Sequence, residues 1–136
     1  MTTPGRLAPA TRDEWSAPFF DALGNGALLL RRCRRGHLSA PEVWFCAECG
    51  SPDLAWTRAR GTGHVVTWTA IHTRPDETGA TSVSVLAGIV ELEEGPWLRS
   101  RLLAADPATV RSGAAATLAI VHTEGEPVYA FRVEEA

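Results

Sequence analysis

The sequence predicts a mostly β protein in which a short helix and a small zinc ribbon precede a closed barrel of five strands. Three observations lead to this prediction. All three cysteines lie between residues 33 and 49, several runs after residue 61 are rich in β-branched residues, and turn-forming residues separate these runs. The chain therefore divides into an N-terminal arm and helix (1–26), a zinc ribbon (27–60) and a barrel (61–136).

Length, charge and hydropathy narrow the class of protein. A chain of 136 residues suits one domain, or a small module joined to a larger one. The formal net charge is -3, which disfavours a protein that neutralises many phosphates of a nucleic acid. No run of eighteen apolar residues occurs, and the N-terminus lacks the apolar core of a signal peptide. These features predict a cytoplasmic protein with no membrane partner.

The N-terminal residues predict a mobile arm followed by a helix of about two turns. Residues 1–12 carry prolines and small polar residues without periodicity. Ser16 can cap a helix that has Pro18 in its first turn and ends at Gly24. So short a helix cannot bury its aromatic residues alone, and it packs either on its own domain or on a partner protein. The apolar residues concerned are Trp15, Phe19, Phe20 and Leu23.

The ribbon carries a predicted metal site. Its four ligands are Cys33, His37, Cys46 and Cys49. Soft sulfur with one imidazole suits Zn²⁺, and four protein ligands leave no open position for water or substrate, so the zinc is structural. Strands over 27–32 and 41–45 lead into the two knuckles, as in a rubredoxin-like ribbon. The alternative is a degenerate site, because Gly36 stands where a symmetrical ribbon has a cysteine, and His37 must substitute.

A strand over 53–60 leaves the ribbon, and the glycines at 61 and 63 are predicted to bend the chain before the barrel begins. A turn or single helical turn is predicted at 106–108. Five strands with a break between the third and fourth indicate a barrel of the OB type, with a five-stranded sandwich as the alternative. The predicted strands cover 64–72, 81–92, 96–103, 115–122 and 127–133.

Strand alternation places Val66, Trp68, Ala70 and His72 on one face of the first barrel strand. An indole beside an imidazole can stack on an adenine or hold a pantetheine arm of an acyl-CoA. The alternative is a Trp68 that fills the barrel, with His72 as a satisfied polar residue at the rim.

Arginines mark two further candidate sites for an acyl-CoA or a partner protein. Trp97, Arg99 and Arg101 share a strand face that can hold nucleotide phosphates, or that is a solvated outer surface of the barrel. Arg31, Arg32, Arg34 and Arg35 form the densest basic run, on either side of the first predicted metal ligand. This run can meet CoA phosphates, an acidic partner surface or nucleic acid, or it is a solvated face of the ribbon.

Four motifs, in this order and at close spacing, resemble the DUF35 family of zinc-ribbon OB-fold proteins along nearly the whole chain. The motifs are Cys46-Ala47-Glu48-Cys49-Gly50-Ser51, Leu54-Ala55-Trp56, Gly61-Thr62-Gly63 and Trp68-Thr69-Ala70-Ile71-His72.

The resemblance implies an acyl-CoA-associated accessory subunit of a thiolase-like (lipid-transfer-protein-type) enzyme, in a heterotetramer or larger hetero-oligomer. Such a subunit completes the acyl-CoA site while its partner cleaves a carbon–carbon bond, by retro-aldol or thiolytic chemistry, in a substrate such as a steroid side-chain thioester. The residues themselves show no catalytic set, which disfavours a free-standing enzyme acting on CoA thioesters. An OB barrel that binds single-stranded nucleic acid is the main alternative.

Overall fold

The computed structural model describes residues 11–134, and it confirms a mostly β chain with one short helix and a closed five-stranded barrel. No helix among these residues is long or apolar enough to cross a bilayer. Most of the predicted mobile arm lies outside the described residues. The elements are α1 (Ala17–Gly24), β1 (Leu29–Cys33), β2 (Leu38–Ser39), β3 (Leu54–Arg58), β4 (Thr62–His72), β5 (Val83–Leu92), β6 (Trp97–Leu103), a 3-10 turn (Pro107–Thr109), β7 (Ala115–Val121) and β8 (Val128–Val133).

The strands form a small antiparallel sheet and a barrel. The small sheet has the order β2-β1-β3, and the barrel has the order β4-β5-β6-β8-β7, closed by pairing of β7 with β4. Only β6 and β8 pair in parallel among the described strands. Closure excludes the sandwich alternative. The small sheet ends at Arg58 and the barrel begins at Thr62, while the domain limits given above stay predictions.

One hydrophobic core joins the ribbon to the barrel. Leu28 and Leu30, next to and within β1, are fully buried in the same cluster as Val90 and Phe131 of the barrel. Burial of this apolar surface is the main term that holds the two sheets together. The ribbon that carries the predicted metal site is therefore attached to a packed core beside the barrel.

The helix begins where predicted, but Ser16 does not cap it. The Ser16 side chain makes no hydrogen bond to the first turn of the helix, and its Oγ instead accepts the Asp13 N–H at 2.9 Å. Leu23 is buried, and the Phe19 ring lies 6.1 Å from that of Tyr129 in β8. The helix thus packs on its own chain through these two residues.

Arg12 is the last residue of the predicted mobile arm, and its ion pairs hold it in place, which corrects that prediction at this position. Its guanidinium pairs with Glu126 at 2.7 Å and with Asp21 at 2.6 Å. The carboxylate of Glu126 belongs to the loop between β7 and β8, so these ion pairs tie the residues before α1 to the barrel.

Two local predictions in the ribbon and barrel are wrong. Residues 41–45 form turns and no strand, because Pro41 has no N–H to donate to a ladder, and the short β2 lies just before them. Gly63 does not bend the chain but lies inside β4, where a Cβ atom would come within 2.3 Å of the Glu91 carbonyl oxygen. Close approach of two backbones, not a turn, requires glycine there. Gly61, with φ of 83°, is the true turn residue.

Candidate functional site

The four predicted metal ligands come together. The ligand atoms of Cys33, His37, Cys46 and Cys49 all lie within 4.8 Å of one another. The two thiol sulfurs of Cys33 and Cys49 are 3.9 Å apart, and Cys46 Sγ is 3.7 Å from His37 Nδ1. Zn–S bonds of about 2.3 Å in a tetrahedron place neighbouring ligands about 3.8 Å apart. The group can hold a metal ion, and its donor set and spacing fit zinc.

The first knuckle is a tight hairpin that brings its two ligands face to face. The Cys33 N–H donates to the His37 carbonyl at 3.0 Å, and the Gly36 N–H donates to the Cys33 carbonyl at 2.9 Å. Gly36 has φ of 88°, the left-handed conformation that a three-residue hairpin loop needs at this position. A cysteine at position 36 would be strained, so the ligand falls on the next residue, His37.

The second knuckle has two residues between its predicted ligands, one fewer than the first, and it favours a thiolate. The Gly50 N–H donates to the Cys46 carbonyl at 2.9 Å, and Gly50 takes the left-handed conformation after the ligand Cys49. The backbone N–H of Cys49, followed by that of Glu48, lowers the pKa of the Cys46 thiol to about 6, against an opposing effect of burial. Because metals bind the thiolate, this lowered pKa prepares Cys46 for its role.

On the barrel, three of the predicted ligand-site residues border one groove of about 570 Å³ across β4, β5 and β6. They are Trp68, Arg99 and Arg101. Thr67 of β4 and Arg99 of β6 both lie opposite Ile89, so their side chains share one face of the sheet. The groove combines guanidinium groups with apolar surface, an arrangement that suits a phosphate-bearing ligand with a flat ring.

A β-bulge at Val66 breaks the predicted alternation along β4. Val65 pairs with Val90, whereas Thr67 pairs with the preceding residue of β5, so Val66 is an extra residue. Trp68 lies opposite Gly88, so its side chain is on the other face of the sheet from Arg99, and at 36% exposed it is only partly buried. His72 is exposed at the end of β4 and does not border the groove.

A second surface is built from aromatic residues where the helix, the ribbon and the barrel meet. We define the aromatic surface as Trp15, Phe20, Trp44 and Phe45. Trp44 and Phe45 are 65% and 59% exposed, and the Trp44 ring stacks 4.8 Å from that of Trp15. A cavity of about 240 Å³ opens beside them, with Phe20 and Trp56 in its wall. Large exposed aromatic groups of this kind mark interaction sites.

A family model described as the C-terminal OB-fold domain of ChsH2 matches residues 56–126, more than half of the chain. A DUF35 domain-containing scaffold protein of Pyrococcus furiosus is 33% identical over 82 residues. The chain belongs to the DUF35 family. The alignment with the Pyrococcus protein covers 60% of this chain and 60% of that relative.

Solved structures agree with this assignment. A chain of the structure described as an "Ltp2-ChsH2(DUF35) aldolase" is 27% identical, with a TM-score of 0.73, over 93% of this chain and 98% of that one. A DUF35 protein of unknown function from Sulfolobus solfataricus shares the fold, with a TM-score of 0.60 at 15% identity over 90% of this chain and 86% of that one.

The remaining predicted residues of the DUF35 chain lie outside the groove. Trp97 is 55% exposed, and its indole N–H donates to Glu91 Oε2 at 2.8 Å. Arg34 Nε pairs with Asp53 Oδ2 at 2.6 Å. Arg34 and Arg35 border a pocket of about 280 Å³ beside the metal ligands Cys33 and Cys49.

Arg31 is a residue whose environment the sequence did not reveal. Its guanidinium carbon lies 4.1 Å from the Trp56 ring centre and 5.4 Å from that of Trp15, and Nη2 donates to the Leu54 carbonyl at 3.2 Å. Burial lowers the pKa of Arg31 from its ordinary value. Arg31 therefore links the residues before α1 to the ribbon by cation–π contacts, which corrects the prediction of a solvated face at this position.

Proposed function

We propose that this DUF35 chain is a non-catalytic accessory subunit that binds a thiolase-like, lipid-transfer-protein-type enzyme and helps form its acyl-CoA site. The observation that carries the proposal is the likeness, over almost the full length of both chains, to the aldolase structure whose name joins Ltp2 to a DUF35 component. The partner performs carbon–carbon cleavage, retro-aldol or thiolytic, on an acyl-CoA such as a steroid side-chain thioester. The working assembly is a heterotetramer or larger hetero-oligomer.

The barrel groove is the proposed contact with the CoA thioester. Arg99 and Arg101 present guanidinium groups that can donate paired hydrogen bonds to phosphate oxygens. Ala87 and Ile89, which pair with Arg101 and Arg99 and so share their face of the sheet, offer apolar surface for the adenine ring. In this proposal the chain binds and orients the nucleotide end of the substrate, and the reacting carbonyl lies in the partner enzyme.

The aromatic surface is the proposed contact with the partner enzyme. Its exposed tryptophan and phenylalanine are the residue types enriched at the centres of protein interfaces. Trp44 and Phe45 directly precede the metal ligand Cys46, so a metal-ordered knuckle would hold them in one orientation. In this proposal the metal site positions these two residues and takes no part in the reaction.

Zinc is the proposed occupant of the Cys/His group, in a structural role. Replacing His37 by alanine removes one of four ligands, so we expect bound zinc and the melting temperature both to fall. His122→Ala, an exposed histidine in the loop after β7, is the matched control. Zinc content and melting temperature unchanged in the His37→Ala protein would remove this residue from the site.

Co-expression with the thiolase-like protein encoded by the neighbouring gene tests the function. We expect the two proteins to co-elute from a sizing column, and the double variant Trp44→Ala/Phe45→Ala to elute apart from the enzyme while remaining folded. Ile71→Ala, which trims another exposed apolar side chain on the barrel, should leave co-elution intact. Separate elution of the wild-type proteins, with no effect of either on the other's activity, would contradict the proposal.

A further inference from the structure

We propose that Glu48 is a positioning residue that orients the His37 imidazole so that Nδ1 binds the metal. The inference rests on the metal site of the proposed function and adds a residue outside the four ligands. Its basis is the placement of the two ring nitrogens. His37 Nδ1 lies 3.7 Å from Cys46 Sγ, on the metal side, and Nε2 lies 3.3 Å from Glu48 Oε2, on the opposite side.

The chemistry of a neutral imidazole makes this arrangement directional. One ring nitrogen carries the lone pair that binds a metal, and the other carries a proton. A carboxylate accepts hydrogen bonds and cannot donate them, so the nitrogen beside Glu48 keeps the proton. The lone pair is then left on Nδ1, which faces the thiols. Histidine ligands in metal sites are commonly fixed in this way by a carboxylate on the outer nitrogen.

The backbone of His37 is already fixed, whereas its ring is not. The Cys33 N–H holds the His37 carbonyl through the hairpin, but this backbone hydrogen bond does not fix χ1 and χ2 of the side chain. A cysteine ligand would have a single rotation about Cα–Cβ and no tautomers. A histidine ligand in this knuckle, unlike a cysteine, therefore requires a second group that fixes the orientation and tautomer of its ring.

Glu48 meets this need from the other knuckle. It lies between the ligands Cys46 and Cys49, in the turn that supplies two of the three thiolates. That turn therefore provides two ligands and orients a third that belongs to a different hairpin. The side chains of His37 and Glu48 are 33% and 68% exposed, so water competes for the contact between Nε2 and the carboxylate. The expected effect lies at the lower end of the range for such partners, about tenfold in metal affinity.

The test measures zinc affinity of the full chain by competition with a chromophoric chelator. Glu48→Ala should weaken zinc binding about tenfold. The amide oxygen in Glu48→Gln still accepts a hydrogen bond from the Nε2–H group, so the zinc affinity of this variant should lie between those of Glu48→Ala and wild type. Glu77→Ala, an exposed glutamate in the loop between β4 and β5, is the matched control and should bind zinc as wild type does. Circular dichroism of each zinc-loaded variant checks folding.

Nitrogen-15 spectra of the zinc-loaded wild-type protein supply a readout that a merely structural role of Glu48 would not give. We expect the His37 signals of a metal-bound Nδ1 and a protonated Nε2. A metal-bound Nε2, or an affinity of Glu48→Ala within twofold of Glu77→Ala, would overturn the role of Glu48. Failure of the wild-type chain to bind zinc would instead overturn the metal site itself. Neither result depends on whether the chain binds an enzyme.

Discussion

At the scale of single residues, the sequence predicted the Cys/His group that the structure brings together, whereas the residues around this group could not be predicted. The short spacing of the cysteines and His37 identifies a ligand set without any knowledge of the fold. Glu48 is one of 16 acidic residues, and nothing in its local sequence distinguishes it until the two knuckles are placed together. The same is true of Arg31, which is one of four arginines around Cys33 and is distinguished only by the rings that flank it.

Arg31 and its neighbour provide a direct test of the cation–π contacts. Arg31→Lys keeps the charge but loses the planar group that lies over Trp56, so we expect the free energy of unfolding to fall by about 1 kcal/mol. Arg32→Lys, at an exposed position of the same strand, should change it by less than about 0.5 kcal/mol. Urea unfolding of both variants measures the difference, and equal values would contradict the assigned role of the Arg31 contacts.

At the scale of elements, the five barrel strands were predicted well because each carries its own signal of β-branched residues between turn residues, whereas the predicted ribbon strand over 41–45 was wrong. What the sequence could not show was pairing. The bulge at Val66 exists because β4 and β5 differ in register, which is a property of two strands. Gly63 was interpreted as a turn residue for the same reason, since the close Glu91 carbonyl belongs to another strand.

The Gly63 contact predicts a large effect from a small substitution. Gly63→Ala places a methyl group against a backbone oxygen that cannot rotate away, so we expect a loss of about 1–3 kcal/mol in the free energy of unfolding. Gly24→Ala is the control, because a Cβ atom there meets only Pro127 Cγ, at the ordinary distance of 3.9 Å. Denaturant unfolding compares the two. A Gly63→Ala protein as stable as the control would mean that β4 and β5 are not this close.

The ion pair between Arg12 and Glu126 predicts a pH-dependent contribution to stability. The hydrogen bond from Arg12 lowers the pKa of Glu126 below its ordinary value of 4.5. The folded protein thus binds this proton less readily than the unfolded chain, and the contribution is present above about pH 4.5 and is lost as the pH falls through the lower, folded-state pKa.

The melting temperature of Glu126→Gln relative to wild type measures this contribution. We expect a small deficit at pH 7, because the pair is on the surface, and we expect the deficit to be smaller at pH 3 than at pH 7. High salt should also reduce it. Glu77→Gln should show no such pH dependence. A deficit that is the same at both pH values would show that the Arg12 pair is not its source.

At the scale of the whole molecule, the shared core explains how a closed metal site can serve a function elsewhere. Leu30 in the ribbon and Phe131 in the barrel belong to one buried cluster, so the aromatic surface and the barrel groove keep a fixed relation. The OB barrel and the ribbon could be predicted from strand count and ligand spacing. The aromatic surface could not, because its residues come from separate segments and are joined only by the fold.

In the proposed function, this DUF35 chain supports the chemistry of a partner enzyme and performs none alone. The most direct test measures cleavage of a CoA thioester by the thiolase-like enzyme encoded by the neighbouring gene, with and without this chain. We expect no turnover by the chain alone. Its addition should raise the kcat/KM of the enzyme at least about tenfold, equivalent to about 1.4 kcal/mol. The double variant Arg99→Glu/Arg101→Glu should raise the KM of the complex for the CoA thioester. Turnover by the isolated chain, or a partner whose kcat/KM is unchanged by its addition, would contradict the claim.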